Sequence, residues 1–132
     1  MTSEQLLRAA IFALSAGCAP APAFAGAADY AFEPVKVDVK NGAGSQLAVR
    51  LFHKPTGKPV EGAVLFRTRL DMSPDGMEAM TAKHVATPSA ELGVYVFTAD
   101  FTMSGGWAFK IMAKVQGEPE TVQGAIVLQA KD

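Results

Sequence analysis

Residues 93–115 read GVYVFTADFTMSGGWAFKIMAKV, and their reading decides the fold class. From Gly93 to Phe101 the side chains alternate, with Tyr95, Phe97 and Phe101 on one side. From Gly106 to Val115 the alternation resumes. Trp107, Phe109, Ile111, Ala113 and Val115 share one face, and Lys110, Met112 and Lys114 share the other. A period of two puts successive side chains on opposite faces of an extended chain, so each run is predicted as a strand with one buried face. "TMSGG" between them is a tight connection.

The same pattern extends outward. Tyr30 to Val39 is a first candidate strand. Gln46 to His53 sets Leu47, Val49 and Leu51 on one face, apart from Arg50 and His53. Ala63 to Leu70 follows, with Val64 and Phe66 as predicted core residues, and Thr121 to Leu128 is the last strand. Turn-forming stretches separate them: "KNGAGS" at 40–45, "KPTGKPVEG" at 54–62 and "QGEPE" at 116–120. Six or seven short strands at this spacing predict an all-β, antiparallel two-sheet sandwich, immunoglobulin-like or cupredoxin-like. No long helical period, repeat or low-complexity tract competes with that reading.

Residues 1–25, MTSEQLLRAAIFALSAGCAPAPAFA, read as an export signal. Arg8 precedes an uncharged, mostly apolar run that ends in Ala23-Phe24-Ala25, an A-x-A cleavage pattern. Pro20 and Pro22 interrupt the run, which is too short to span a bilayer. A second version starts from "LSAGC", which resembles a bacterial lipobox and would make Cys18 a lipid attachment point. Ser15 stands where that pattern prefers a branched aliphatic residue, so ordinary cleavage ranks first. The expected organisation is a signal at 1–25 and one domain at 26–132, exported to the periplasm and without membrane insertion. Cys18 is the sole cysteine, so the domain holds together without a disulfide. About a hundred residues remain, enough for one core.

The net charge is −1 and the pI about 6.1, so no basic excess exists to neutralise nucleic-acid phosphates. No nucleophile signature and no phosphate-binding glycine loop stands out. Two histidines are too few for a zinc site built on three imidazoles. The chain is not expected to be an enzyme.

One stretch breaks the strand pattern. "DMSPDGMEAMTAKH" at 71–84 carries Met72, Met77 and Met80, half of the chain's six methionines, and ends on His84. Ser73-Pro74-Asp75-Gly76 fits a type I turn. Beyond it, Met77, Met80 and His84 fall at i, i+3 and i+7, one face if the piece is a short helix. Met103 is a further candidate, in the connection between the two best strands. The turns at 73–76 and 103–106 could lie at the same end of the sandwich, which the sequence alone does not show. Thioether sulfur is a soft, uncharged ligand that selects Cu(I) or Ag(I) over hard divalent ions, and imidazole tolerates both copper oxidation states. Such a site also survives outside the cytoplasm better than a thiolate, with sulfoxide formation as its hazard. Against this stands ordinary packing, because Met fills irregular gaps and apolar i, i+3, i+7 spacing commonly marks core. His53 and Met112 read as structural, and Trp107 as a core anchor.

The stretch from Val60 to Val127, led in by "TGKPVEGA" at 56–63, resembles the FixH/YtkA-like family of exported bacterial domains. The residues that carry the resemblance are "LDMSPDGMEAM" at 70–80 and "GVYVFTADFTMSGGWAFKIMAKVQGEPETVQG" at 93–124, with a G-x-Y-x-F run and a Met-x-Gly-x-Trp step. The resemblance implies a small β-sandwich, copper or silver handling, and a metal-efflux adaptor or an oxidase-assembly protein as partner. It carries over Met72, Met77, Met80 and Met103; His84 lies just outside the motif. Two functions therefore stand side by side: a periplasmic Cu(I)/Ag(I) binding protein, and a metal-free interaction module docking on an efflux adaptor or another envelope partner.

Overall fold

Nine strands account for most of residues 26–132, the part of the chain that the computed structural model describes. The predicted signal, its cleavage pattern and Cys18 lie outside the described residues. One sheet has the order β1 (Tyr30–Pro34), β3 (Gly42–His53), β7 (Val94–Phe101), β6 (His84–Thr87). The other has the order β2 (Asp38–Lys40), β9 (Val122–Lys131), β8 (Gly105–Lys114), β4 (Val64–Met72), β5 (Met77–Thr81). The all-β two-sheet sandwich read from the alternation is the fold. All the pairs are antiparallel except β2 with β9.

The stretch that predicts the fold also organises it. β8 pairs along its length with β9 on one side and with β4 on the other. Trp107, Phe109, Ile111 and Ala113 of β8, with Val115 just beyond it, are all buried, as their alternation requires. Trp107, Phe109 and Ile111 cluster with Leu47 and Val49 of β3 and Phe97 and Phe101 of β7, while Val115 joins Leu51 and Val122 in a second cluster. Each fully buried side chain of this size contributes roughly 1.5–3 kcal/mol of transfer free energy. Trp107 is buried without leaving its indole N–H unpaired: Nε1 donates to the Met103 carbonyl at 3.0 Å, and the ring meets Phe101 edge-on.

The structure corrects the sequence reading at four places. The predicted strand Tyr30–Val39 is two strands in different sheets, because Pro34 ends β1 and residues 35–37 cross over to pair β2 with β9. Part of the predicted turn at 40–45 is strand: β3 begins at Gly42 and absorbs the irregularity as a bulge between Gly42 and Ser45. Val64 and Phe66 are not core residues but are 59% and 49% exposed. A bulge between Leu65 and Arg67 is the cause: Leu65 pairs with the buried Ala113, Phe66 is the extra residue, and Leu70 and Met72 supply the core beyond it. Beyond a single 3-10 turn at Ser73–Asp75, the piece from Met77 to His84 forms strand and not a helix. It adds β5 and β6 to the expected strands and carries the chain from one sheet to the other.

Candidate functional site

β4 runs out of the core at Met72 and the chain turns at once. Pro74 presets one backbone angle of a single 3-10 turn, Ser73–Asp75, and Gly76 closes it at φ +76°, a conformation glycine adopts without penalty. Met77 then stands directly opposite Met72 in the β4–β5 ladder, which puts the two side chains on one face of the sheet. The next ladder pair is Asp71 with Thr81, so Glu78, Ala79 and Met80 form an irregular segment between the two pairs.

The turn at 73–76 and the connection at 103–106 do meet at one end of the sandwich. The Gly106 N–H donates to Asp75 Oδ2 at 3.0 Å. Gly105, at φ +135°, sits so close that a Cβ there would collide with the Asp75 carboxylate and come within 2.9 Å of the Met72 methyl. Only glycine fits this approach. It joins Met72 to a connection that carries Met103 two residues earlier. Met72 is fully buried, whereas Met77, Met80 and Met103 are 36%, 37% and 40% exposed.

His84 does not share a face with Met77 and Met80. It starts β6 in the other sheet, beside Thr68, four residues back along β4 from Met72, or about 13 Å at strand spacing. Its Nδ1–H donates to the Ala82 carbonyl at 3.0 Å, which leaves Nε2 of the neutral ring to accept from the Thr68 hydroxyl at 2.7 Å. The ring packs edge-on against Phe97 and Phe109. Both nitrogens are engaged, and the bond to Thr68 ties one sheet to the other.

Asp71 is the residue that sequence reasoning missed. It is fully buried, yet charged. Its Oδ2 accepts from Arg69 Nε at 2.8 Å and from Lys110 Nζ at 2.9 Å, and its Oδ1 accepts from the Ser73 N–H at 3.0 Å. Burial alone would raise its pKa; the bonds from Ser73, Lys110 and Arg69 outweigh burial and hold the carboxyl well below the usual carboxylate range. Lys110 also reaches Glu78 at 3.3 Å, and Arg69 Nη2 donates to the Glu78 carbonyl at 2.8 Å. The Asp71 group thereby fastens β5, whose five residues are all exposed, to the sheet. The sequence did hold a signal: Asp-x-Ser ahead of Pro is the pattern of an aspartate that caps its own turn.

Together the fold and this end define a small β-sandwich in which the turn at 73–76 meets the connection at 103–106, with Met72 buried and Met77, Met80 and Met103 exposed. The sequence description of the YtkA-like family matches residues 24–112, more than half of the chain, and the chain belongs to that family. No curated protein matches it. Among solved structures, the Lin-41 filamin domain aligns at 16% identity over 79% of this chain and 97% of its own, with a TM-score of 0.42. The ZirS C-terminal domain aligns at 10% identity over 86% and 83%, with a TM-score of 0.44. At these TM-scores neither likeness bears on function.

Proposed function

We propose that the chain is a periplasmic carrier of Cu(I) or Ag(I), which it holds on thioethers at the methionine-bearing end and passes to an efflux adaptor or an oxidase-assembly partner by ligand exchange. One observation carries the reading: two segments 31 positions apart in sequence, 72 and 103, are brought to one place, and both bring methionine. Met77, Met80 and Met103 are the accessible donors. Met72 is buried directly opposite Met77 in the β4–β5 ladder. Neutral sulfur donors suit a soft monovalent ion and release it without a proton having to return to the ligand. His84 stands outside the donor set, because a metal would have to displace its bond to Thr68 or to Ala82.

The test is an anaerobic Cu(I) titration of the full chain against a competing chelator, with Cys18→Ser so that no thiol competes. Binding of one equivalent with a Kd on the order of 1 μM or tighter is expected, and its loss on Met77→Leu with Met80→Leu. Leucine keeps the volume and removes the sulfur, so the fold survives the substitution. Absence of binding, or binding that the double substitution leaves intact, contradicts the proposal.

The exposure of the three methionines also suits a second reading, a metal-free docking face, because unbranched thioethers make an adaptable contact surface. Capture of an efflux adaptor that is insensitive to copper chelation favours that reading.

A further inference from the structure

The chain crosses between the sheets over only half of one flank. β5 pairs with β4 at Asp71 and Met72 alone, and the Ala82 N–H bonds back to the Leu70 carbonyl. His84 then closes the gap by its bond to Thr68. From there back to Val64, β4 pairs with β8 on one side, and no described strand pairs with it on the other. β6 is likewise the last strand of its sheet. Between these two edges lies a cleft of about 530 Å³, lined among others by Leu65, Ala86, Val94 and Phe97. Val64, Phe66, Val85 and Leu92 stand exposed on this flank, Phe66 because the bulge expels it.

The mouth of the cleft is held in shape. The Tyr95 hydroxyl donates to the Val60 carbonyl at 2.7 Å and accepts from the Ala63 N–H at 3.0 Å, which pins the loop ahead of β4. Burial pushes the Tyr95 pKa up, so the hydroxyl stays a donor. A wall fixed in advance lowers the ordering cost of binding.

The charges of the cleft have a direction. Its charged lining residues, Glu61 and Glu91, are both acidic and lie at the Val64 end. Arg67 lies along β4 toward the other end, ahead of Arg69, which Asp71 and the Glu78 carbonyl engage. The geometry points to a docking site for an extended segment of a partner protein, which adds to the free edge of β4 in the row that β5 begins. The segment spans about six residues, or roughly 20 Å. It alternates apolar side chains into the cleft, and runs antiparallel to β4 with an acidic residue at its start and a basic one at its end. A second copy of β4 fits less well, since antiparallel self-pairing centred on Arg67 sets Arg67 against Arg67. Main-chain bonds to the edge supply affinity and the side-chain pockets supply choice, as in strand addition generally. The cleft lies on the far side of His84 from the methionines, so this inference does not rest on metal binding.

The experiment uses two acetylated, amidated heptapeptides, Glu-Val-Thr-Val-Thr-Val-Lys and its reverse Lys-Val-Thr-Val-Thr-Val-Glu, titrated into the full chain and read by amide NMR. Saturable shifts are expected at Val64–Thr68, Ala86–Thr87 and Val94–Phe97, with the Glu-first peptide binding about fivefold more tightly. Glu61→Lys, at an exposed position, is expected to weaken that preference by balancing the charge of Glu91, and Val64→Asp to weaken both peptides while the rest of the spectrum and the Cu(I) affinity stay unchanged. Shifts absent up to millimolar peptide, shifts centred on the methionines or on the β1–β2 flank, or equal affinity for the two peptides overturns the proposal.

Discussion

Two neighbouring parts of this molecule obey different rules. β7 and β8 are regular: their apolar faces are shut into the core, and β8 pairs in register along its length. The crossing from Asp71 to His84 has scattered ladder pairs, exposed methionines and one buried charge. Burial holds the first part in place. The second is held by specific ties, among them Asp75 to Gly106, Glu78 to Arg69 and Lys110, Ala82 to Leu70, and His84 to Thr68. Substitutions should therefore cost stability in proportion to volume in one part, and in proportion to broken ties in the other.

The sharpest contrast comes from the core strand. Trp107→Ala removes the largest fully buried side chain and orphans the Met103 carbonyl, and should destabilise by about 3–5 kcal/mol in denaturant unfolding. Next is Met72, which belongs to the core although its sequence neighbours do not. Met72→Ala should cost about 2–4 kcal/mol, whereas Met72→Leu should cost under about 1.5 kcal/mol. Equal small costs for Trp107→Ala and Met72→Ala would erase the distinction between buried frame and methionine-bearing end.

Asp71→Asn should follow, at about 2 kcal/mol, because hydrogen bonds from Arg69 and Lys110 lose their charged acceptor. Its pH dependence has a fixed sign. The folded pKa lies below the unfolded value, so the contribution is fully present above about pH 4 and is lost as pH falls through the acid range. The stability gap between the wild type and Asp71→Asn should therefore narrow between neutral pH and pH values below about 4. A gap that widens on acidification would mean that burial, and not the partners, sets the carboxyl. Smallest of all are Met77→Ala and Met80→Ala, each expected within about 0.5–1 kcal/mol, since both side chains already meet solvent. A loss of several kcal/mol at either would return these methionines to the core.

The same contrast explains what the sequence made legible. Alternation works where one face is buried and the ladder is unbroken, so Leu47, Val49, Leu51 and the whole inner face of β8 were readable. It fails at a bulge, where the alternation points Val64 and Phe66 inward while Leu65 holds the position. It fails again at Pro34, where one apparent run divides between two sheets. In the crossing, helical spacing of Met77, Met80 and His84 was a coincidence of numbers, because a stretch this short takes its conformation from the edge it meets. The meeting of the two turns was not legible: the sequence allows both to fall at one end of the sandwich, and the Asp75–Gly106 bond is what brings them together. Asp71 was legible as the cap of its own turn, through Ser73, but its burial was not, because Lys110 reaches it from the next strand over.

The central claim is that soft-metal donors gather at this one end. It is tested most directly by methyl NMR of the full Cys18→Ser chain with 13C-labelled methionine methyls, titrated with Ag(I). The account predicts that the Met77, Met80 and Met103 methyls shift together and stop moving at one equivalent, while Met112 and the His84 ring stay where they are. Methionine methyls that do not move, or shifts spread evenly over Met1, Met112 and the rest, would contradict it.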